Sequence, residues 1–268
     1  MISKQKQPPY YPALFISHGA PMMALEQSTT AVFLQALATT LAAPKAIVIF
    51  SAHFDLPGEV VVTSATAPST VHDFYGFPEK LYQMTYPAPG EPALANQIAD
   101  LLADNGFSSR LDDHQGWDHG AWIPMKLIYP EANIPIVEVS INSQLSAETH
   151  FQLGRALRSL RKQGILILGS GGISHNLHEI FSTRPDTQRV HKVEKFTAWV
   201  KEKLHNKEIN SLLNYQNEAP YASFNHPTQE HFLPLISVLG AHIQEQTISC
   251  IHQDSEYEIL ALDAYRFS

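Results

Sequence analysis

Apolar residues in this chain gather into short unbroken runs, and several of those runs end in the same way. Ala46-Ile47-Val48-Ile49-Phe50 is followed by Ser51-Ala52-His53-Phe54. A continuous run of that length, rich in β-branched residues, predicts a strand buried on both faces, as in the middle of an α/β sheet. Leu14-Phe15-Ile16-Ser17-His18-Gly19 repeats the design, and so does Ile165-Leu166-Ile167-Leu168 followed by Gly169-Ser170-Gly171-Gly172-Ile173-Ser174-His175. In open α/β sheets ligands bind beyond the carboxyl ends of the strands. Three predicted strands therefore deliver His18, His53 and His175 to one edge.

The remaining pattern alternates between strand and helix. Pro12–Ser17, Ala46–Ala52 and Glu59–Ser64 read as the first three strands. Ser28 is a candidate cap for a helix running to about Leu41. Residues 65–90 are rich in Pro, Gly and aromatics, with five aromatics between Phe74 and Tyr86, and read as an ordered functional cover. A helix is expected from about Glu91 to Asn105, stopped by a left-handed Gly106. Gly116–Pro124 reads as a turn into a short helix ending near Pro130, and Ile134–Ile141 as a strand. Leu153, Leu157 and Leu160 mark a helix over Ser146–Gln163 with Gly164 as its stop, and Ile165–Leu168 follows as a strand. Helices are expected over Gln188–Leu204 and near Glu208–Tyr215, and another opens around His226–Pro234 with Thr228 as candidate cap. Thr247–His252 and Tyr257–Ala264 read as closing, antiparallel strands. The prediction is one α/β domain over 1–268, a central mixed sheet flanked by helices, with 1–11 as a flexible start.

Composition narrows the possible functions. The 268 residues carry a net charge of −8 and no Lys/Arg-rich block, which argues against a nucleic-acid surface. Apolar runs are far shorter than a membrane span, and Met1–Gln7 lacks the apolar core of a secretory signal. A single cysteine, Cys250, excludes an internal disulfide framework and cysteine-based zinc sites, and fits a reducing, cytoplasmic compartment; no obligatory partner subunit is evident in the sequence. The fourteen histidines are the compositional oddity.

Neutral imidazoles are ligands for zinc, iron, copper and nickel, and a site of three histidines leaves positions open for substrate. His18 and His53 are the strongest candidates because each follows a buried strand directly. His175 lies beyond a flexible Gly-Ser-Gly-Gly turn that lacks the lysine of a phosphate loop. His119, in Asp118-His119-Gly120, stands between Trp117 and Trp122. His226 and His231 are five residues apart and share a helix face poorly, so one enters the site and the other stays outside. His72, His114, His150, His178, His191, His205, His242 and His252 are assigned to surface or structural roles. No Gly-x-Ser-x-Gly nucleophile elbow is present.

Seven motifs occur in order: Ser17-His18-Gly19-Ala20-Pro21-Met22, Ser51-Ala52-His53, His72-Asp73-Phe74-Tyr75-Gly76-Phe77-Pro78, Tyr86-Pro87-Ala88-Pro89-Gly90, Asp118-His119-Gly120, Ser174-His175-Asn176-Leu177 and Glu230-His231-Phe232-Leu233-Pro234-Leu235. Together they resemble the class III extradiol ring-cleaving dioxygenases, in the 4,5-DOPA dioxygenase branch. The resemblance implies a LigB-like fold and one mononuclear divalent ion, Zn2+ or Fe2+, held by His18, His53 and His231. It also implies an acid–base role for His175, which without substrate can swing in as a fourth ligand, and a second histidine, His119, beside it. Protocatechuate-cleaving relatives place a glutamate where His231 stands. The implied partners are a small aromatic diol and O2, with Phe74, Tyr75, Phe77 and Trp122 as walls of the substrate pocket. Two other readings use the same residues: a zinc hydrolase, and a metal-binding protein without catalysis.

Overall fold

The computed structural model describes residues 10–183 and 186–268. The expected start, residues 1–9, lies outside them; Tyr11 is tied in by a backbone bond from its N–H to the Arg161 carbonyl (2.8 Å). The strands follow in chain order as β1 (Ala13–Ser17), β2 (Ala46–Ser51), β3 (Val60–Thr63), β4 (Ser109–Asp112), β5 (Ile136–Glu138), β6 (Ile165–Gly171), β7 (Ile248–His252), β8 (Ser255–Glu256), β9 (Leu260–Ala261) and β10 (Ala264–Phe267).

Six of them form the central sheet, ordered β5-β2-β6-β1-β10-β7. The pairs β5–β2, β2–β6 and β6–β1 are parallel, whereas β10 runs antiparallel to both β1 and β7. The mixed sheet expected from sequence is therefore present. Every residue of β1, β2 and β6 is buried, because helices cover both faces. Strand alternation sends Ile47 and Ile49 into a core with Leu34, Trp122 and Met125. It sends Val48 and Phe50 into another with Leu153, Leu157, Leu235 and Val238.

Three predicted elements differ. Glu59–Ser64 does form a strand, but β3 leaves the central sheet and pairs parallel with β4. Ser109-Arg110-Leu111-Asp112 offers only one apolar residue and gave no strand signal. Tyr257–Ala264 is not one strand. Tyr257 (φ 52°) and Glu258 (φ 64°) form a tight turn between β8 and β9, and the sheet strand begins only at Ala264. The helix expected at His226 starts instead at Leu233, with Pro234 in its first turn, where proline costs no hydrogen bond. The Thr228 hydroxyl bonds Glu230 rather than a helix N–H, so the segment carrying His231 is a turn.

The glycines before His175 also differ from expectation. Gly169 and Gly171 lie inside β6, and their bare α-carbons let the chain around His231 pack against the strand. A methyl group on Gly171 would sit 2.2 Å from the His231 carbonyl oxygen, and Gly172 N–H donates to that oxygen at 2.9 Å. The stretch is a close-packed joint, not a flexible tether. Gly171→Ala should accordingly destabilise the protein by about 1–3 kcal/mol in urea denaturation. Gly172→Ala, whose added methyl would meet its nearest neighbour at 3.3 Å, should cost less.

Candidate active site

The carboxyl ends of β1 and β2, the chain beyond β6 and the turn before the helix Leu233–Ala241 converge. His18 follows β1 at once, with its N–H bonded to the Gly171 carbonyl (3.0 Å). His53 lies two residues past β2, and its N–H donates to Ser51 Oγ (3.2 Å). His231 is pinned by Gly172. One ring nitrogen from each of His18, His53 and His231 lies within 4.8 Å of the others. The Nε2 atoms of His18 and His53 face each other at 3.1 Å. Nitrogens about 2.1 Å from one ion would be spaced by about 3.0–3.4 Å, so this pair already has ligand spacing.

The outer ring nitrogens fix the tautomers. The Ser170 hydroxyl donates to the Gly120 carbonyl, so its lone pairs accept from His18 Nδ1 (3.1 Å). That leaves His18 Nε2 bare. His231 Nδ1 donates to Glu230 Oε1 (3.0 Å), leaving Nε2 buried and without a partner among the described residues. An orphaned, buried imidazole lone pair aimed among other imidazoles fits a metal ion well. Burial, reinforced by the surrounding imidazoles, holds His18 and His231 well below the usual histidine range. Burial lowers His53 to about 3, with Asp73 and Glu230 opposing. All three are thus neutral at neutral pH, as metal ligation requires.

A family model described as the catalytic LigB subunit of aromatic ring-opening dioxygenase matches residues 12–267. This chain belongs to the LigB family. It is 39% identical over 259 residues to a Beta vulgaris protein named 4,5-DOPA dioxygenase extradiol, covering 95% of each chain. An Escherichia coli (strain K12) protein of the same name is 40% identical over 242 residues, covering 89% of this chain and 88% of that one. The crystal structure of an uncharacterized protein from Escherichia coli K12 matches with a TM-score of 0.79 and 35% identity, covering 96% of this chain and 100% of that one.

Around these three histidines stand two more. His175 is half-buried, its ring stacked on that of His231 with centroids 3.4 Å apart and planes 8° from parallel. It groups with Glu230 and His231, apart from His18 and His53. Burial lowers it to about 4, with Glu230 opposing. His119 is the first residue of the helix His119–Ile128, which Asp118 caps by accepting from Ala121 N–H (3.1 Å). Its ring lies 3.8 Å from that of His53. His226 is the histidine left outside: its Nε2 donates to the Ile173 carbonyl (2.8 Å).

The aromatic cover forms, but only part of it can serve as a wall. Phe74 stands edge-on to His119 (5.5 Å) and packs against Phe77 (5.5 Å). Tyr75 points outward, 91% exposed, and Trp122 is fully buried with its indole N–H on the Val71 carbonyl (2.9 Å). Neither is the pocket wall assigned from sequence: Tyr75 sits beside Gly76 on the outer turn, and Trp122 supports Phe74 from behind (6.4 Å).

Asp73, within the His72–Pro78 motif, belongs to the site although the sequence alone does not single it out. Asp73 accepts from both the backbone N–H and Nδ1 of His119 (2.9 Å each) and approaches His53 Nδ1 at 3.6 Å. The only available signal was an acid between His72 and Phe74 in a cover otherwise poor in charge. Asp73→Asn removes the anion that orients both rings. It should weaken metal binding by about 10–100-fold, as measured by competition with a chromogenic chelator.

Proposed function

We propose that this LigB-family protein is an extradiol dioxygenase that opens the ring of a DOPA-like catechol with O2. In this reading one divalent ion is held by His18, His53 and His231. The observation that carries it is the bare, buried Nε2 of His231 set among neutral imidazoles, with two further histidines at the rim. His18, His53 and His231 would hold the ion with positions left open, and iron(II) rather than zinc would supply the redox chemistry that O2 requires. The names of the plant and bacterial relatives support the choice of substrate.

This chain's side chains then divide the work. No described residue hydrogen-bonds to the His175 ring, and it is neutral, so it is free to take a phenolic proton and later return it. Asp73 holds His119 by Nδ1, which turns Nε2 outward, where it is placed to hydrogen-bond a substrate oxygen. Phe74 and Phe77 exclude water from this side of the ring. Among the described residues no helix is long and apolar enough to cross a membrane, and the lone Cys250 supports a cytoplasmic setting.

Oxygen-electrode assays on iron-loaded protein with a catechol panel should show stoichiometric O2 uptake; hydrolysis without uptake would move the assignment to a zinc hydrolase. His175→Ala should keep its metal and lose about 10²–10⁴-fold in single-turnover rate. His231→Ala, loaded identically, should lose both metal and activity. Equal metal loss in the two variants would make His175 a ligand instead.

A further inference from the structure

Glu138 is the last residue of β5, in the middle of the protein. It is 0% exposed, and neither carboxyl oxygen has a hydrogen-bond partner among the described residues. Strand alternation places it on the same sheet face as Ile136, Ile47 and Ile49, beneath the helix that begins at His119. Asp118, the cap of that helix, is also buried and also has one unpartnered oxygen, Oδ2. Asp118 is the first of the charged groups that act on Glu138, so the two buried carboxyl groups are neighbours.

Such a pair cannot carry two charges. The partners decide which member is the anion. Asp118 Oδ1 accepts from Ser51 Oγ (2.7 Å) and from Ala121 N–H (3.1 Å), at a helix N-terminus where negative charge is favoured. Glu138 has no donor aimed at its carboxyl. We infer that Glu138 is a neutral carboxylic acid whose proton is directed at Asp118 Oδ2, and that this contact is a positioning element of the active site. The elements packed on Glu138 agree. β2 offers Ile49, β3 offers the Thr63 hydroxyl, already used by the Glu138 backbone N–H (2.8 Å), and the charged groups acting on it are Asp118 and then Asp73, both acids. Burial, then those acids, raise Glu138 well above the carboxylate range, while burial raises Asp118 only to about 6.

The contact matters because Asp118 joins two parts of the site. Through Ser51 it reaches the His53 backbone N–H, and through its cap it sets the first turn of the helix carrying His119. There is no slack in the joint: a methyl group on Gly120 would lie 2.5 Å from Ser51 Oγ and 3.0 Å from the His53 ring. The protonation state stands on packing alone, whereas its consequence for turnover rests on the ring-cleavage reading.

The test uses full-length E138Q, which keeps shape and donor but cannot ionise, and E138L, which keeps bulk without a donor. A buried acid with a raised pKa contributes stability that is complete below the unfolded-chain value. That contribution is lost as pH rises toward and through the folded value, by up to about tenfold in the folding equilibrium per pH unit. Metal-free E138Q should therefore gain on wild type steadily as pH rises above about 5, where the unfolded carboxyl has ionised. The infrared band of a protonated carboxyl should be present in wild type at neutral pH and lost in E138Q. A stability difference independent of pH, or no such band in wild type, would overturn the neutral acid. In iron-loaded enzyme E138Q should keep turnover, and E138L should lose about tenfold or more. Equal turnover in both variants would overturn the positioning role while leaving the protonation result intact.

Discussion

Five imidazoles crowded at the carboxyl edge of a parallel sheet can coexist only while most of them are uncharged. His18, His53, His119, His175 and His231 lie with several ring centroids 3.4–5.6 Å apart. Each proton added to such a cluster meets both desolvation and repulsion from its neighbours, which is why burial heads the causes that lower His18, His53, His175 and His231. The same condition makes the nitrogens good ligands, since a metal ion competes with the proton for the same lone pair. Negative charge is supplied only at the outer ring atoms, by Asp73 and Glu230, where it orients the imidazoles without occupying their inner faces.

The sheet makes this crowding possible because the residues between each apolar run and its histidine are small and hydrogen-bonding. Ser17 Oγ donates to the Asp263 carbonyl and accepts from Ile173 N–H. Ser51 Oγ reaches Asp118, and Ser170 Oγ lies between His18 and Gly120. Three serines at three strand ends thus cross-link β1, β2 and β6 to the loops that carry chemistry. Buried hydroxyls of this kind are stabilising only when fully partnered, so each one commits its neighbours to a single arrangement. A site built this way is held by strand ends and by a helix cap, the stiffest supports available in the fold.

What was legible in the sequence follows from period and proximity. The buried strands were visible because parallel strands covered on both faces are written as continuous apolar runs, and their terminal histidines came with them. Motif order then supplied His231 and His119, which no local pattern singles out. The rest was not local. β4 was missed because its two-stranded ribbon is half exposed and has little hydrophobic signature. Gly169 and Gly171 read as a tether, because a sequence does not show that the Pro234 and His231 carbonyls approach them from 60 or more positions away. Trp122 and Tyr75 were both aromatic residues near the right motifs; only the packing reveals that one is core and the other is solvent-facing. Glu138 was hidden inside a strand whose other residues are apolar, and its partner Asp118 lies twenty positions earlier in the chain.

The stacked pair His175 and His231 shows how similar side chains acquire different duties. Their rings are parallel and in contact, so they share one local dielectric and the neighbouring Glu230. Their connections differ. His231 is fixed by Glu230 at Nδ1 and by Gly172 at its backbone carbonyl, and its Nε2 is sealed from solvent. His175 is held only through its backbone, by N–H to the Asn225 carbonyl (2.8 Å). Ser174 beside it is clamped between Ile259 and Ala261 (2.7 and 2.8 Å). The His175 ring is half-exposed and makes no hydrogen bond among the described residues. A ligand needs a fixed lone pair and a dry approach, whereas a proton carrier needs access to substrate oxygen and freedom to change protonation state. Burial and outer-atom hydrogen bonding, rather than residue type, are therefore what support the proposed division, with ligation by His231 and proton transfer by His175.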